Sequence, residues 1–131
     1  MKIELTKAES EEYFHNALCN GLEYISGYGL SLEYDEKEYQ AAKAKLGIEN
    51  PGRIICYEDV LLEILKLGSK LRLVDEEGDG EMTKSITLED VHNNVSTTPI
   101  RHLMNMISEN DDAETADVII QTVFYKDIIF G

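Results

Sequence analysis

The chain has no tryptophan, three phenylalanines, two prolines and two cysteines, and it sets only 12 Lys and Arg against 26 Asp and Glu. Each shortage excludes something. Cys19 and Cys56 lie far apart, form no CxxC and follow no secretory signal, which argues against a disulfide framework and for free thiols in a reducing compartment. The opening MKIELTKAESEE has no apolar signal core, and no apolar run approaches the about 18 residues that a membrane span needs. A cytoplasmic location is therefore expected. There is no nucleophile elbow, P-loop, dinucleotide fingerprint or HExxH, so no cofactor is expected and an enzyme is the less favoured reading.

The shortage of cations leaves a formal net charge of −14. The excess is spread out: nine acidic against five basic side chains over 1–47, eleven against five over 48–92, and six against two over 93–131. The chain thus carries no acidic tail. Such a surface is repelled by phosphate backbones and anionic lipid, which excludes direct nucleic-acid or membrane-surface binding as a leading function. Acidity alone is explained by solubility. The sharper reading is a protein that binds basic partners or imitates nucleic acid.

What is present suits one domain. At 131 residues, with 43% hydrophobic and 29% charged side chains, a single core can bury about 68% of the unfolded surface. The organising stretch is Arg53 to His92. Val60, Leu61, Ile64, Leu65 and Leu67 recur at helical spacing behind Glu58 and Asp59, and Gly68 supplies a stop. Leu71, Leu73 and Val74, then a Gly-Asp-Gly tip, then Met82, Ser85, Ile86 and Leu88, predict a β-hairpin.

Before that centre, Lys2 to Leu5 reads as a short strand, and Thr6 with Glu9 forms a capping box for a helix stopping near Asn20-Gly21. Tyr24 to Tyr34 reads as two strands about a turn at Ser26 to Gly29. Asp35 caps a helix ending at Gly47, Asn50-Pro51-Gly52 is a turn, and Arg53 to Tyr57 adds a short strand. After the hairpin, Thr87 either caps a helix through His92 or continues the strand. Ser96 to Pro99 opens a helix with Ile100, Leu103, Met104 and Ile107 as its buried face. A last helix carries Ala116, Ile119, Ile120, Val123 and Phe124, and Asp127 to Phe130 reads as helix or terminal strand.

The expected architecture is α+β, with four to five helices around a small, mostly antiparallel sheet containing the central hairpin. The expected core is Phe14, Leu18, Leu61, Ile64, Leu65, Leu73, Ile86, Leu103, Ile107, Ile119, Ile120 and Val123.

Among possible sites, the acidic tip Asp75 to Glu81 stands first. On a calcium-loop template Asp75, Glu77 and Asp79 fall at positions one, three and five, with Gly80 at six, but position twelve is Ile86 where a bidentate glutamate is needed. A solvated turn that discourages edge-to-edge pairing is the plainer reading, and a weak divalent-cation site the sharper. His15 and Cys19 lie four apart without further ligands at a recognisable spacing to His92 or His102, so ordinary structural roles are expected, with both cysteines as buried thiols. Gly27-Tyr28-Gly29 is a hairpin turn rather than a phosphate cradle, because no helix opens after it. The acids from Glu109 to Asp117 cap a helix.

The leading expectation for function is a non-enzymatic interaction, adaptor or regulatory protein that binds a protein with a basic surface, one form of it being a nucleic-acid-mimicking inhibitor. Glu76, Glu81, Tyr28 and Tyr34 are the candidate partner-binding residues, since tyrosine is favoured at interfaces. Tyrosines and an edge strand leave room for a homodimer. The alternatives are a small enzyme assembled from scattered residues and a cation-responsive tip.

Overall fold

The computed structural model describes residues 3–131. Six α-helices surround one three-stranded antiparallel sheet, so the α+β class stands and the helix count rises from four or five to six among the described residues. The order is α1 (Lys7–Gly27), β1 (Leu30–Glu33), α2 (Glu36–Glu49), α3 (Tyr57–Lys66), β2 (Leu71–Asp75), β3 (Lys84–Ile86), α4 (Leu88–Asn94), α5 (Ile100–Ile107) and α6 (Ala113–Tyr125), with a 3₁₀ turn at Val95–Thr97 before α5. No helix among the described residues is long and apolar enough to cross a membrane.

Local chemistry sets most of the helix starts. The Thr6 hydroxyl accepts from Glu9 N at 3.1 Å while Thr6 N donates to Glu9 Oε1 at 2.9 Å, which satisfies two otherwise orphaned groups at the head of α1. Asp35 accepts from Lys37 N and Glu38 N to start α2, and Asp112 accepts from Thr115 N to start α6. Thr87 N donates to Asp90 Oδ2 at 2.8 Å, which decides for a helix at α4 and against a longer β3.

The sheet has β2 in the middle. Leu30 stands opposite Asp75 and Glu33 opposite Arg72, while Leu71 pairs with Ile86 and Leu73 with Lys84. Leu71 and Leu73 are buried and Arg72 is exposed, the alternation expected of a sheet with one face on the core.

α6 is the centre of the molecule. Every residue from Thr115 to Phe124 is buried, so beyond its first two residues this helix has no solvent face up to Phe124, and the polar side chains of that stretch all bond internally. Thr115 faces His102, Asp117 faces Tyr28 and Gln121, and Thr122 donates to Val118 O. α1 packs along α6 more extensively than any other element. The closest approach is at Gly21, where an added Cβ would lie 2.9 Å from Ile120 Cδ1 and 3.0 Å from the backbone of Ala116 and Asp117.

That contact explains one departure from expectation. Gly21 does not stop α1 but lets it pass α6, and the helix runs on through Tyr24 and Ser26, where a strand and a turn were expected. Only the second expected strand there exists, as β1. Arg53 to Cys56 is in no regular structure and Tyr57 opens α3, so the strand expected over Arg53 to Tyr57 is absent, and the expected strand over Lys2–Leu5 begins outside the described residues, with Ile3–Leu5 in no regular structure.

Eleven of the twelve expected core residues are at most 2% exposed. The exception is Ile107, at 37%, and the reason covers the whole of α5. That helix turns Leu103, His102 and Met106 inward, leaving Ile100 and Met104 on the outside with Ile107. Both Cys19 and Cys56 are free and exposed rather than buried.

Candidate functional site

The β2–β3 connection carries five carboxylates from Asp75 to Glu81, and side-chain bonds hold it as a loop rather than a bare turn. Asp75 organises it. Its carboxylate accepts from Gly78 N at 2.8 Å and from Met82 N at 3.3 Å, while its own N–H donates to Thr83 Oγ1. Gly80, at φ +87°, makes the reversal that L-residues resist. Glu76 is tied to β1 and the turn before it, its N–H donating to Gly29 O at 2.9 Å and its carboxylate accepting from Ser31 Oγ at 2.7 Å. Glu77 lies over Gly29, whose missing side chain makes the room. Asp79 accepts from Glu81 N, and Glu81 is exposed.

No group of three or more His, Cys, Asp or Glu among the described residues is arranged to hold a metal ion, and Asp75, Glu77 and Asp79 form no such group. Two of the lone pairs on Asp75 already serve backbone N–H groups.

Around the whole chain, six carboxylates lie within 4.0 Å of a Lys, Arg or His nitrogen among the described residues: Glu11, Glu33, Glu49, Asp59, Glu63 and Glu114. Glu76, Glu77, Asp79 and Glu81 are outside that set. The tip therefore shows a held array of exposed, uncompensated negative charge.

The two candidate tyrosines fall in different places. Tyr34 joins a cluster with Tyr39, stacked at 5.0 Å between ring centroids, and Tyr57 at 6.2 Å, where β1, α2 and α3 meet. Tyr28 lies at the end of α1, close to the tip. Its hydroxyl donates to Asp117 Oδ2 at 2.6 Å, and its ring stacks on Phe130 at 5.0 Å and 13°. Tyr125 completes this second group: its ring meets Phe130 edge-on at 6.3 Å, and its hydroxyl donates to Met82 O at 2.9 Å, in the acidic loop itself.

The segment Asp127 to Phe130, expected as helix or strand, is neither. It folds back on α6 after Lys126, which takes the left-handed conformation at φ +61°. Gln121, fully buried, then serves as its backbone partner. The Gln121 amide oxygen accepts from both Ile129 N and Phe130 N at 2.8 Å, and its nitrogen donates to Phe130 O at 3.1 Å and Asp117 Oδ1 at 2.9 Å.

The histidines stand apart from this surface. His92 Nε2 is 2.7 Å from Glu11, and His102 is buried between Thr115 and Arg101. His15 Nε2 is 2.7 Å from Asp59 Oδ1, with Cys19 Sγ 3.9 Å from the other ring nitrogen. This thiol, imidazole and carboxylate lie in a line, as a nucleophile would need. The charge environment opposes it: burial, then Glu58, Asp59 and Cys56, push the Cys19 thiol pKa up, away from the reactive thiolate. Burial also works on Asp59, yet its bonds from Cys56 N and His15 outweigh that and hold it below the usual carboxylate range.

Burial, followed by the bond to Asp117, pushes the Tyr28 hydroxyl up to about 12, and burial, followed by the charge of Asp75, does the same to Tyr125. A tyrosine freed by unfolding titrates near ~10. The folded state thus binds these protons more tightly, so their contribution to stability is complete below about pH 10 and is lost as pH climbs through about 12. The melting temperature is expected to fall across that window together with the appearance of phenolate absorbance. A melting temperature that stays level while tyrosines ionise would remove Tyr28 and Tyr125 from this role.

The chain matches no family model, no curated protein and no solved structure in the comparisons made with each. Its chemistry rests on the geometry above. Sequence reasoning singled out the tip and Tyr28 but missed Gln121, Asp117, Tyr125 and Phe130 as their neighbours. One signal was available: Asp117 and Gln121, spaced four apart, flank the apolar run Val118-Ile119-Ile120 on a predicted helix.

Proposed function

We propose that this chain is a non-enzymatic interaction protein that docks onto a protein partner with a basic surface, the acidic β2–β3 loop being its leading contact. The observation that carries this reading is the set of exposed carboxylates from Glu76 to Glu81, on a loop held by Asp75 and none of them within 4.0 Å of a Lys, Arg or His nitrogen among the described residues. Preordered charge of one sign raises the rate of encounter with the opposite sign and discriminates against like-charged partners. A partner that normally handles nucleic acid fits best, because its phosphate-binding surface is complementary to a loop presenting several carboxylates close together. On this reading the protein competes with nucleic acid rather than binding it.

The test is capture of partners by the tagged chain from native extract at about 0.1 M and about 1 M salt, where the screening length falls from about 10 Å to about 3 Å. Protein retained at low salt, released at high salt, displaced by added duplex DNA, and lost when Glu76, Glu77, Asp79 and Glu81 are all neutralised to Gln or Asn is the expected result. Capture that is indifferent both to salt and to those substitutions would show that the charge serves solubility alone.

A further inference from the structure

The Asp127 to Phe130 segment is held as a bound peptide is held. Its backbone is read by one buried side chain, Gln121, through two N–H groups and a carbonyl, and its Phe130 ring is clasped between Tyr28 and Tyr125. These contacts are all non-covalent and are made by Tyr28, Gln121 and Tyr125. Of the segment, Ile128 and Ile129 remain 43% and 42% exposed, so Phe130 is its apolar anchor. The preceding hinge, Lys126, occupies a left-handed conformation that costs a non-glycine residue energy, and releasing the segment relieves it.

From this geometry we infer that Tyr28, Asp117, Gln121 and Tyr125 form a binding slot for an extended basic peptide segment carrying a phenylalanine, occupied in this structure by the chain's own Phe130. The inference rests on the basic-partner reading above, since the charge around the slot is what selects a basic occupant. Asp117 is inside the slot, Asp75 is near enough to Tyr125 to act on its ionisation, and Glu77 lies over Gly29 beside Tyr28. The chain's own segment brings Asp127 into this acidic setting; a segment with lysines or arginines beside its phenylalanine is better matched there. The slot also adjoins the proposed contact loop, because the Tyr125 hydroxyl that borders it holds Met82 O. Charge on the loop and phenylalanine in the slot would then recognise one continuous stretch of partner.

The test uses the full chain with Phe130→Ala, which empties the aromatic seat, and two labelled peptides, Lys-Lys-Ile-Ile-Phe-Gly and the same with alanine for phenylalanine. Binding is followed by fluorescence anisotropy at low and high salt. The phenylalanine peptide is expected to bind the variant about tenfold more tightly than the alanine peptide, given the apolar area and ring stacking at stake, and to keep that ratio in high salt. The unaltered chain is expected to bind it more weakly than the variant does, because its own segment competes.

Equal binding of both peptides that vanishes in salt would overturn the slot and leave the acidic-surface reading standing. No binding of either peptide at low salt would overturn both. Self-association of the unaltered chain that disappears in the variant would replace the basic partner with a second copy. Should Phe130→Ala fail to fold, Phe130→Leu serves in its place, and amide exchange in the unaltered chain supplies an independent check. Exchange at Ile129 and Phe130 is expected to be faster than at Ile119 and Ile120 by about a hundredfold, as release without global unfolding requires. Equal, slow exchange at all four would overturn the slot.

Discussion

Gly21→Val is expected to lower the unfolding free energy by about 3 kcal/mol, at the upper end of the usual cost of overpacking. The Cβ that valine brings would meet Ile120 Cδ1 at 2.9 Å and, less forgivingly, backbone atoms of Ala116 and Asp117 at 3.0 Å. The Ile120 side chain can rotate, but the α6 backbone cannot move without disturbing a helix buried on every side. Relief therefore requires α1 to separate from α6, which opens the largest helix interface in the molecule. The expected reading in urea is a lowered midpoint with an unchanged slope. Gly27→Ala is the control: nothing lies within 4 Å of a Cβ there, so the helix-propensity gain of up to about 1 kcal/mol is not opposed. If the two substitutions had the same effect, α1 and α6 would not be in the contact described.

Gln121→Leu is expected to cost about 3 kcal/mol, since each buried donor or acceptor stranded without a partner costs about 1–3 kcal/mol. Leucine fills the volume, so no cavity confuses the result, but Ile129 N, Phe130 N, Phe130 O and Asp117 Oδ1 all lose their partner at once. The segment has an escape into water that caps the loss, and its departure unstacks Phe130 from Tyr28. Gln121→Glu separates the two halves of the role. A glutamate can still accept from the two N–H groups, but it replaces a donor to Asp117 with a second carboxylate. It is expected to be more damaging near neutral pH than in mild acid, where one proton can be shared. A Gln121→Glu penalty that did not change with pH would show that Asp117 and position 121 are not in contact.

What could be read from the sequence divides along the same physical line. Capping and periodic burial act over three or four residues, so α2 and α3 were visible in the string, as was the start of α1 with its Thr6 to Glu9 box. Strand pairing was visible where alternation was strict, at Leu71 to Leu73. The errors lie where a distant element overrides a local preference. Gly21 carries a stop signal that α6 converts into a crossing point, and Ile100, Met104 and Ile107 form an apolar stripe that α5 turns outward because His102, Leu103 and Met106 are the residues it buries. The acidic loop was found because its charges are consecutive. The slot beside it was not, because Tyr28, Asp117, Gln121 and Phe130 are up to 102 positions apart and meet only after α1 and α6 have packed.

The central place of α6 has a consequence for how the chain comes to be folded. α6 follows every other helix and strand of the chain in sequence order, and its principal partner, α1, precedes them all. Gly21 and Ile120, which meet where α1 crosses α6, stand 99 positions apart, so the largest helix interface forms only when distant parts of the chain come together. Completing the core therefore takes a long-range closure. Before that closure the chain carries exposed apolar side chains on a strongly anionic background, and a net charge of −14 opposes their association.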